Sequence, residues 1–283
     1  MSIRFSSVVA AQPRRIGRSF SALSVEMSGL GQLASPVTAL DEFRVSAPTF
    51  GPHPHAGFSA VTYVLEGSQG AARSRDSLGN DIVVGPGGIV WTQAGSGAIH
   101  EEAPAESGRE LHGLQIFVNL SAKRKLSHPR VFSLESGNVP EWRKAGNVRV
   151  RVVVGSFEGV KSPLIPAEPF NFLDVELRTQ LPFNLPEGHN AVVYVLKGTI
   201  GVASGNGPEQ RVDAEHAMAI GGGGDLVFNA HHPSQFVILS GASITEPVVA
   251  HGPFMMNDRA QIDAALARFR SGAMGSLSPS MGK

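Results

Sequence analysis

The chain has 283 residues, no cysteine, and 24 basic against 24 acidic side chains, so its formal net charge is zero. Without cysteine there is no disulfide, thiolate metal site, iron–sulfur cluster or cysteine nucleophile. The even charge balance leaves no basic footprint of a nucleic-acid binder. No apolar run reaches the length of a membrane span. The expectation is a soluble, cytoplasmic chain with no direct nucleic-acid or membrane partner.

The N-terminal stretch MSIRFSSVVAAQPRRIGRSFSAL carries arginines and serines and no acid before Glu26. That gives it a faint likeness to a transit peptide. Its apolar centre, Val8 to Ala11, is too short for a secretory signal, and a structured strand is the favoured reading. Next come His53 and His55, two residues apart among prolines and glycines, followed at once by a strand-like run, Ala60 to Leu65. Short strands at Asp81–Val84, Gln115–Leu120, Val148–Val154, Phe172–Leu177 and Gln235–Leu239 alternate with glycine-rich turns. With 33 glycines and 19 prolines, this spacing predicts an all-β sandwich or barrel. A repeat is also present. Ala60-Val-Thr-Tyr-Val-Leu-Glu-Gly67 and Ala191-Val-Val-Tyr-Val-Leu-Lys-Gly198 share six of eight residues at an offset of 131. Two copies of one β domain are therefore expected, joined through Glu135–Gly146 with its Pro140. Near the C-terminus Asp258 can cap a helix in which Ile262, Ala265, Leu266 and Phe269 fall on one face. Gly272 ends it, and the tail after Gly275, rich in Ser and Gly, reads as disordered. The expected boundaries are 1–134, a connection at 135–147, a second domain at 148–257, a helix at 258–275 and a tail at 276–283.

In a strand, residues i and i+2 face the same way. His53 and His55 therefore point together, and Pro54 favours an extended backbone at His53. His100 and Glu102 form a second such pair, with Glu101 between them facing the opposite side. Two pairs on neighbouring strands converge on one point. Three imidazoles and a carboxylate suit iron, copper, nickel or zinc with positions left open, and the mixed set leans toward iron. The offset of 131 carries His53 to Asn184 and His55 to Pro186, neither a ligand. The second copy has thus lost the set, and the histidines belong to function rather than folding. His189, His231 and His232 have no acid spaced with them and read as solvated loop residues. His112 reads as a core or outer-sphere histidine. His128, His216 and His251 read as structural or exposed. Gly221–Gly224 reads as a turn, since no Lys or Ser/Thr follows it, and Trp91 and Trp142 as packing residues.

From Leu40 to Gly275 the sequence resembles the pirin family of bicupins. The resemblance rests on Leu40-Asp-Glu-Phe43, His53-Pro-His55 with Gly57-Phe58, Tyr63-Val-Leu-Glu-Gly67 and Asp76-Ser-Leu-Gly-Asn80. It continues through Ala94-Gly-Ser-Gly97 with His100 and Glu102, Leu111-His-Gly-Leu-Gln115, Val118-Asn-Leu120, Glu246-Pro-Val248 and His251-Gly-Pro-Phe-Met-Met-Asn257. It implies two tandem cupin (jelly-roll type) β-barrels, with one metal in the N-terminal barrel and none in the second. The ligands carried over by motif are His53, His55, His100 and Glu102. Iron is the metal it implies first, with Zn, Cu, Ni or Mn as alternatives. Some bacterial members resemble quercetin 2,3-dioxygenases, which open a flavonol ring with O₂ and release carbon monoxide. Animal members look like iron-dependent nuclear co-regulators. The expected function is that of an iron-dependent dioxygenase acting on a flavonol-like or enolic aromatic substrate, with Glu102 also accepting the substrate proton. The alternatives are an iron-binding, redox-sensitive regulatory protein with a protein partner, and a structural bicupin. The family's His-Pro-His-Arg-Gly-Phe-Glu reads His-Pro-His-Ala-Gly-Phe-Ser here, with Ala56 and Ser59. Its Gln-Trp-Met-Thr-Ala-Gly reads Val-Trp-Thr-Gln-Ala-Gly, with Val90, Thr92 and Gln93. These changes are expected to alter the polarity beside the pocket.

Overall fold

The structure, a computed structural model, describes residues 2–144 and 147–280. Residues 145 and 146 of the expected connection, and 281–283 of the expected tail, lie outside the described residues. The chain divides into two compact units. One contains Pro13–Leu23, Ala39–Asn138 and Ile244–Lys283; the other contains Met1–Gln12, Ser24–Thr38 and Val139–Ser243. Both are built from a large antiparallel sheet and a four-stranded one, as the short, turn-punctuated strands predict.

In the first unit the large sheet runs Arg130–Leu134, Ile89–Gln93, Phe58–Val64, Leu111–Asn119, Val37–Val45, Phe20–Ser24, Gln12–Ile16. The first copy of the repeat is its central strand, buried on both faces. That is why its residues are almost uniformly apolar rather than alternating. The four-stranded sheet runs His53–His55, Ala98–Pro104, Ala72–Asp76, Asp81–Val84. In the other unit the second repeat copy, within His189–Lys197, holds the matching place between His216–Gly221 and Ser234–Ala242. The four-stranded sheet there runs Gln180–Leu185, Gly224–Ala230, Thr199–Ala203, Gln210–Asp213. The same strand order in both units is the structural counterpart of the repeat.

The interiors differ. In the second unit Leu181, Phe183 and Leu185 join Leu226, Phe228, Val193, Phe236 and Ile238 in one buried apolar cluster. Asn184 is exposed, and its Nδ2 donates to Asp225 Oδ1 at 2.8 Å. The offset of 131 thus lands on an outward position, and the inward neighbours of Asn184 are apolar.

The units also differ from the contiguous segments expected. Strands Arg4–Phe5 and Val9–Ala10 pair with His216–Gly221, so the first residues belong with the later repeat. The expected connection is partly sheet, since Glu141–Lys144 pairs with Val148–Val154. The C-terminal helix is Arg259–Arg270, with the Asp258 side chain accepting from the Gln261 N–H at 2.8 Å. Its Ile262 and Ala265 pack with Ala56, Phe254, Met256 and Met274 of the first unit. The tail, expected to be disordered, is hydrogen-bonded as far as Ser280. Among the described residues no helix is long and apolar enough to cross a membrane.

Candidate metal centre

The strand His53–His55 pairs antiparallel with Ala98–Pro104, and His53 sits directly opposite His100. Gly57 makes the turn out of the first strand possible. Its φ is +87°, and a Cβ there would lie 1.8 Å from the Met255 carbonyl oxygen. His53, His55 and His100 each offer one ring nitrogen, and these atoms all lie within 4.8 Å of one another. Among the described residues this is the one grouping of three or more metal-ligating side chains. His55 is fixed edge-on by Phe58 and Phe117, at ring-centroid separations of 5.0 and 5.6 Å.

Burial favours the neutral form of His55 and of His100. Burial, aided by His53, lowers the His55 pKa to about 3, against a weak opposing pull from the Pro253 carbonyl. Burial, then His55 and His53, holds His100 well below the ordinary imidazole value. His53 Nδ1 lies 2.9 Å from the Gly51 carbonyl, an acceptor that calls for N–H on that nitrogen. Its Nε2 is then left as a lone pair, 3.1 Å from His100 Nε2. Nδ1 of His55 and of His100 are buried without a hydrogen bond. Converging imidazoles, one oriented by a backbone carbonyl, are the donor set of a divalent transition ion. The residues fit such an ion.

Glu102 stands apart from the three histidines. It lines the same cavity, but its Oε2 accepts from the Thr62 hydroxyl at 2.7 Å. Burial pushes its pKa up to about 7, opposed by that hydrogen bond. Glu101 faces the other way, as the period of two requires. It is buried, and its Oε2 accepts from Arg75 Nη1 at 3.1 Å. The remaining histidines are elsewhere. His112 Nε2 is 2.8 Å from Glu42 Oε1, and His231 is paired with Glu209 at the surface.

The cavity above the histidines has a volume of about 470 Å³. Phe20, Phe43, Phe50, Phe117, Val45 and Leu111 form its apolar walls. Ala56, Ser59, Val90, Thr92 and Gln93 are all buried, and none lines the cavity. These departures lie outside the cavity lining itself. Ala56 belongs to the apolar cluster beneath the C-terminal helix. Sequence reasoning missed Thr62, and a signal for it existed. Within the repeat, Thr62 is matched by Val193, which is buried in the other unit's apolar core. It also missed Arg14, Ile16 and Phe20, which bring the N-terminal hairpin to the cavity wall.

Two sheets enclosing a histidine cluster, repeated in tandem with an apolar second interior, define the class as a bicupin with one candidate metal centre. Residues 25–118 match the family model "Pirin", and residues 172–275 match "Pirin C-terminal cupin domain". Pirin-like protein 2 of Arabidopsis thaliana is 36% identical over 252 residues, covering 86% of this chain and 77% of that protein. Pirin of Homo sapiens is 33% identical over 245 residues, covering 85% and 83%. The crystal structure of quercetin 2,3-dioxygenase from Acinetobacter baumannii superposes with a TM-score of 0.86 at 27% identity, covering 98% of this chain and all of that one. The chain belongs to the pirin family.

Proposed function

We infer that this member of the pirin family is a metal-dependent dioxygenase acting on a flavonol-like or enolic aromatic substrate, with iron as the metal. The observation that carries this reading is the cluster of imidazoles at the floor of an aromatic-walled cavity large enough for a multi-ring molecule. The likeness to a quercetin 2,3-dioxygenase supports it.

His53, His55 and His100 would hold the ion, with Glu102 as the fourth ligand. When bound, the ion supplies Lewis acidity toward a substrate oxygen and one-electron chemistry toward O₂. The phenyl walls orient a planar ring and exclude water. Glu102 would take a proton from a substrate hydroxyl. The Thr62 hydroxyl has one proton and two acceptors within reach, Glu102 Oε2 at 2.7 Å and Gln115 Oε1 at 3.1 Å. With Glu102 ionised, Thr62 donates to it. With Glu102 protonated, the acid donates to Thr62, which turns its own proton to Gln115. The Thr62 hydroxyl therefore partners the Glu102 carboxyl in both its protonation states. Gln115 is itself held, since its Nε2 donates to the Val61 carbonyl at 3.1 Å.

The test is O₂ uptake and quercetin loss by the iron-reconstituted protein, with carbon monoxide measured in the headspace. Equal consumption of the two, with carbon monoxide released, is expected. Stoichiometric iron without uptake across a flavonol and enol panel would overturn the dioxygenase reading in favour of an iron-binding regulatory protein.

A further inference from the structure

The strand Ala98–Pro104 carries His100 and Glu102 on its cavity side, and its other side is covered by the end of the chain. Arg268 Nε donates to the Ser96 carbonyl at 2.9 Å, just before the strand. The Met274 side chain lies over Gly97, whose φ is +134°, and a Cβ on Gly97 would come within 2.5 Å of it. Ser77 joins the two segments. Its hydroxyl donates to the Met274 carbonyl at 2.7 Å and accepts from the Ile99 N–H at 3.0 Å. Beyond Gly275 the chain passes Arg75, whose Nη1 donates to the Ser278 carbonyl at 3.2 Å. It then reaches Glu101, where the Ser280 N–H donates to Oε2 at 3.0 Å and Oε1 at 3.2 Å.

Glu101 is only 4% exposed. A carboxylate that deep is costly unless its oxygens are satisfied. The Arg75 guanidinium and the tail's Ser280 N–H donate to them. Glu101 lies between His100 and Glu102, so whatever fixes its side chain fixes the twist and height of the backbone carrying both. We propose that residues 276–280 and Glu101 form a brace that positions His100 and Glu102 from behind, so that the C-terminal tail sets how tightly the centre holds its ion. This rests on the metal-centre reading above. Glu101 is a positioning residue, and it touches neither substrate nor ion.

The test uses Co(II), whose visible spectrum reports coordination geometry, and its release to excess EDTA. The full-length chain is compared with a chain ending at Gly275, with Glu101→Ala, with both changes together, and with Glu101→Gln. Loss of a group that orients a ligand costs about tenfold or more in metal affinity. Release about tenfold faster is therefore expected for the shortened chain and for Glu101→Ala, with an altered spectrum in each. No further loss is expected in the combined variant, because both changes break one contact. Glu101→Gln keeps an acceptor for the Ser280 N–H and should stay close to the full-length chain. Unchanged release and spectrum in either single variant would overturn the brace, as would additive effects in the combination. Failure of the full-length chain to take up Co(II) at all would overturn the metal centre, and the brace with it.

Discussion

His53 Nε2 and His100 Nε2 face each other at 3.1 Å from directly opposed positions of an antiparallel strand pair. At that separation the two nitrogens can share one proton or one cation. His53→Ala and His100→Ala should therefore each weaken metal binding by more than about 100-fold, beyond what loss of an outer-sphere partner costs. Elemental analysis beside calorimetric titration checks this. A folded variant that keeps one ion per chain would count against the site.

Thr62 is the switchable partner of Glu102. Thr62→Val removes its hydroxyl while keeping its shape, and turnover should fall by about 100-fold if proton transfer at Glu102 limits the rate. Metal affinity should fall by about tenfold as well, because Thr62 orients a proposed ligand, and Thr62→Ser should restore most of both. Steady-state kinetics with the substrate identified by the uptake assay would measure it.

Lys125 is fully buried, and its Nζ donates to Asn119 Oδ1 at 2.5 Å, Gly57 O at 2.9 Å and Met255 O at 3.0 Å. Three acceptors match the three protons of an ammonium. Lys125→Met strands all three and should cost about 2–4 kcal/mol in urea unfolding. Burial lowers the lysine pKa from 10.5 to about 8, partly offset by Glu246. Between those values the unfolded chain binds the extra proton, so this group's contribution to stability rises with pH. The gap between wild type and Lys125→Met should widen from about pH 8 to 10.5.

Gly57 tolerates no side chain. Gly57→Ala places a methyl group against the Met255 carbonyl at a φ of +87°. A cost of about 2–3 kcal/mol is expected from the strained backbone and displaced carbonyl. Loss of metal should accompany it, because the shift falls two residues from His55. A thermal midpoint equal to that of wild type would refute this.

The local pattern of this chain was legible. Strand periodicity alone pairs His53 with His55 and His100 with Glu102, and sends Glu101 the other way. The repeat located the central strand of each unit. Contacts distant in sequence were not legible. Lys125 sits in Ser-Ala-Lys-Arg-Lys, which reads as a solvated basic run, and only the fold brings it under Gly57. Ser280 lies in a polar, glycine-rich tail whose composition predicts disorder, because its hydrogen bonds are made to residues almost two hundred positions away. The offset of 131 failed at Asn184 because turn lengths differ between the copies, and a one-residue slip reverses which face a strand residue occupies.

The crossed ownership of the chain's ends bears on how the protein is made. Residues 2–12 belong with strands translated about 200 residues later, and the histidine-bearing unit is completed only by residues 244–280. At about 5–20 residues per second, the first strands wait roughly ten to forty seconds for their partners. Neither unit can close as it emerges. Throughout that interval the nascent chain displays unpaired strand edges, the surfaces most prone to join those of another chain. Shielding of those edges until their partners emerge is what keeps such a chain from pairing with another.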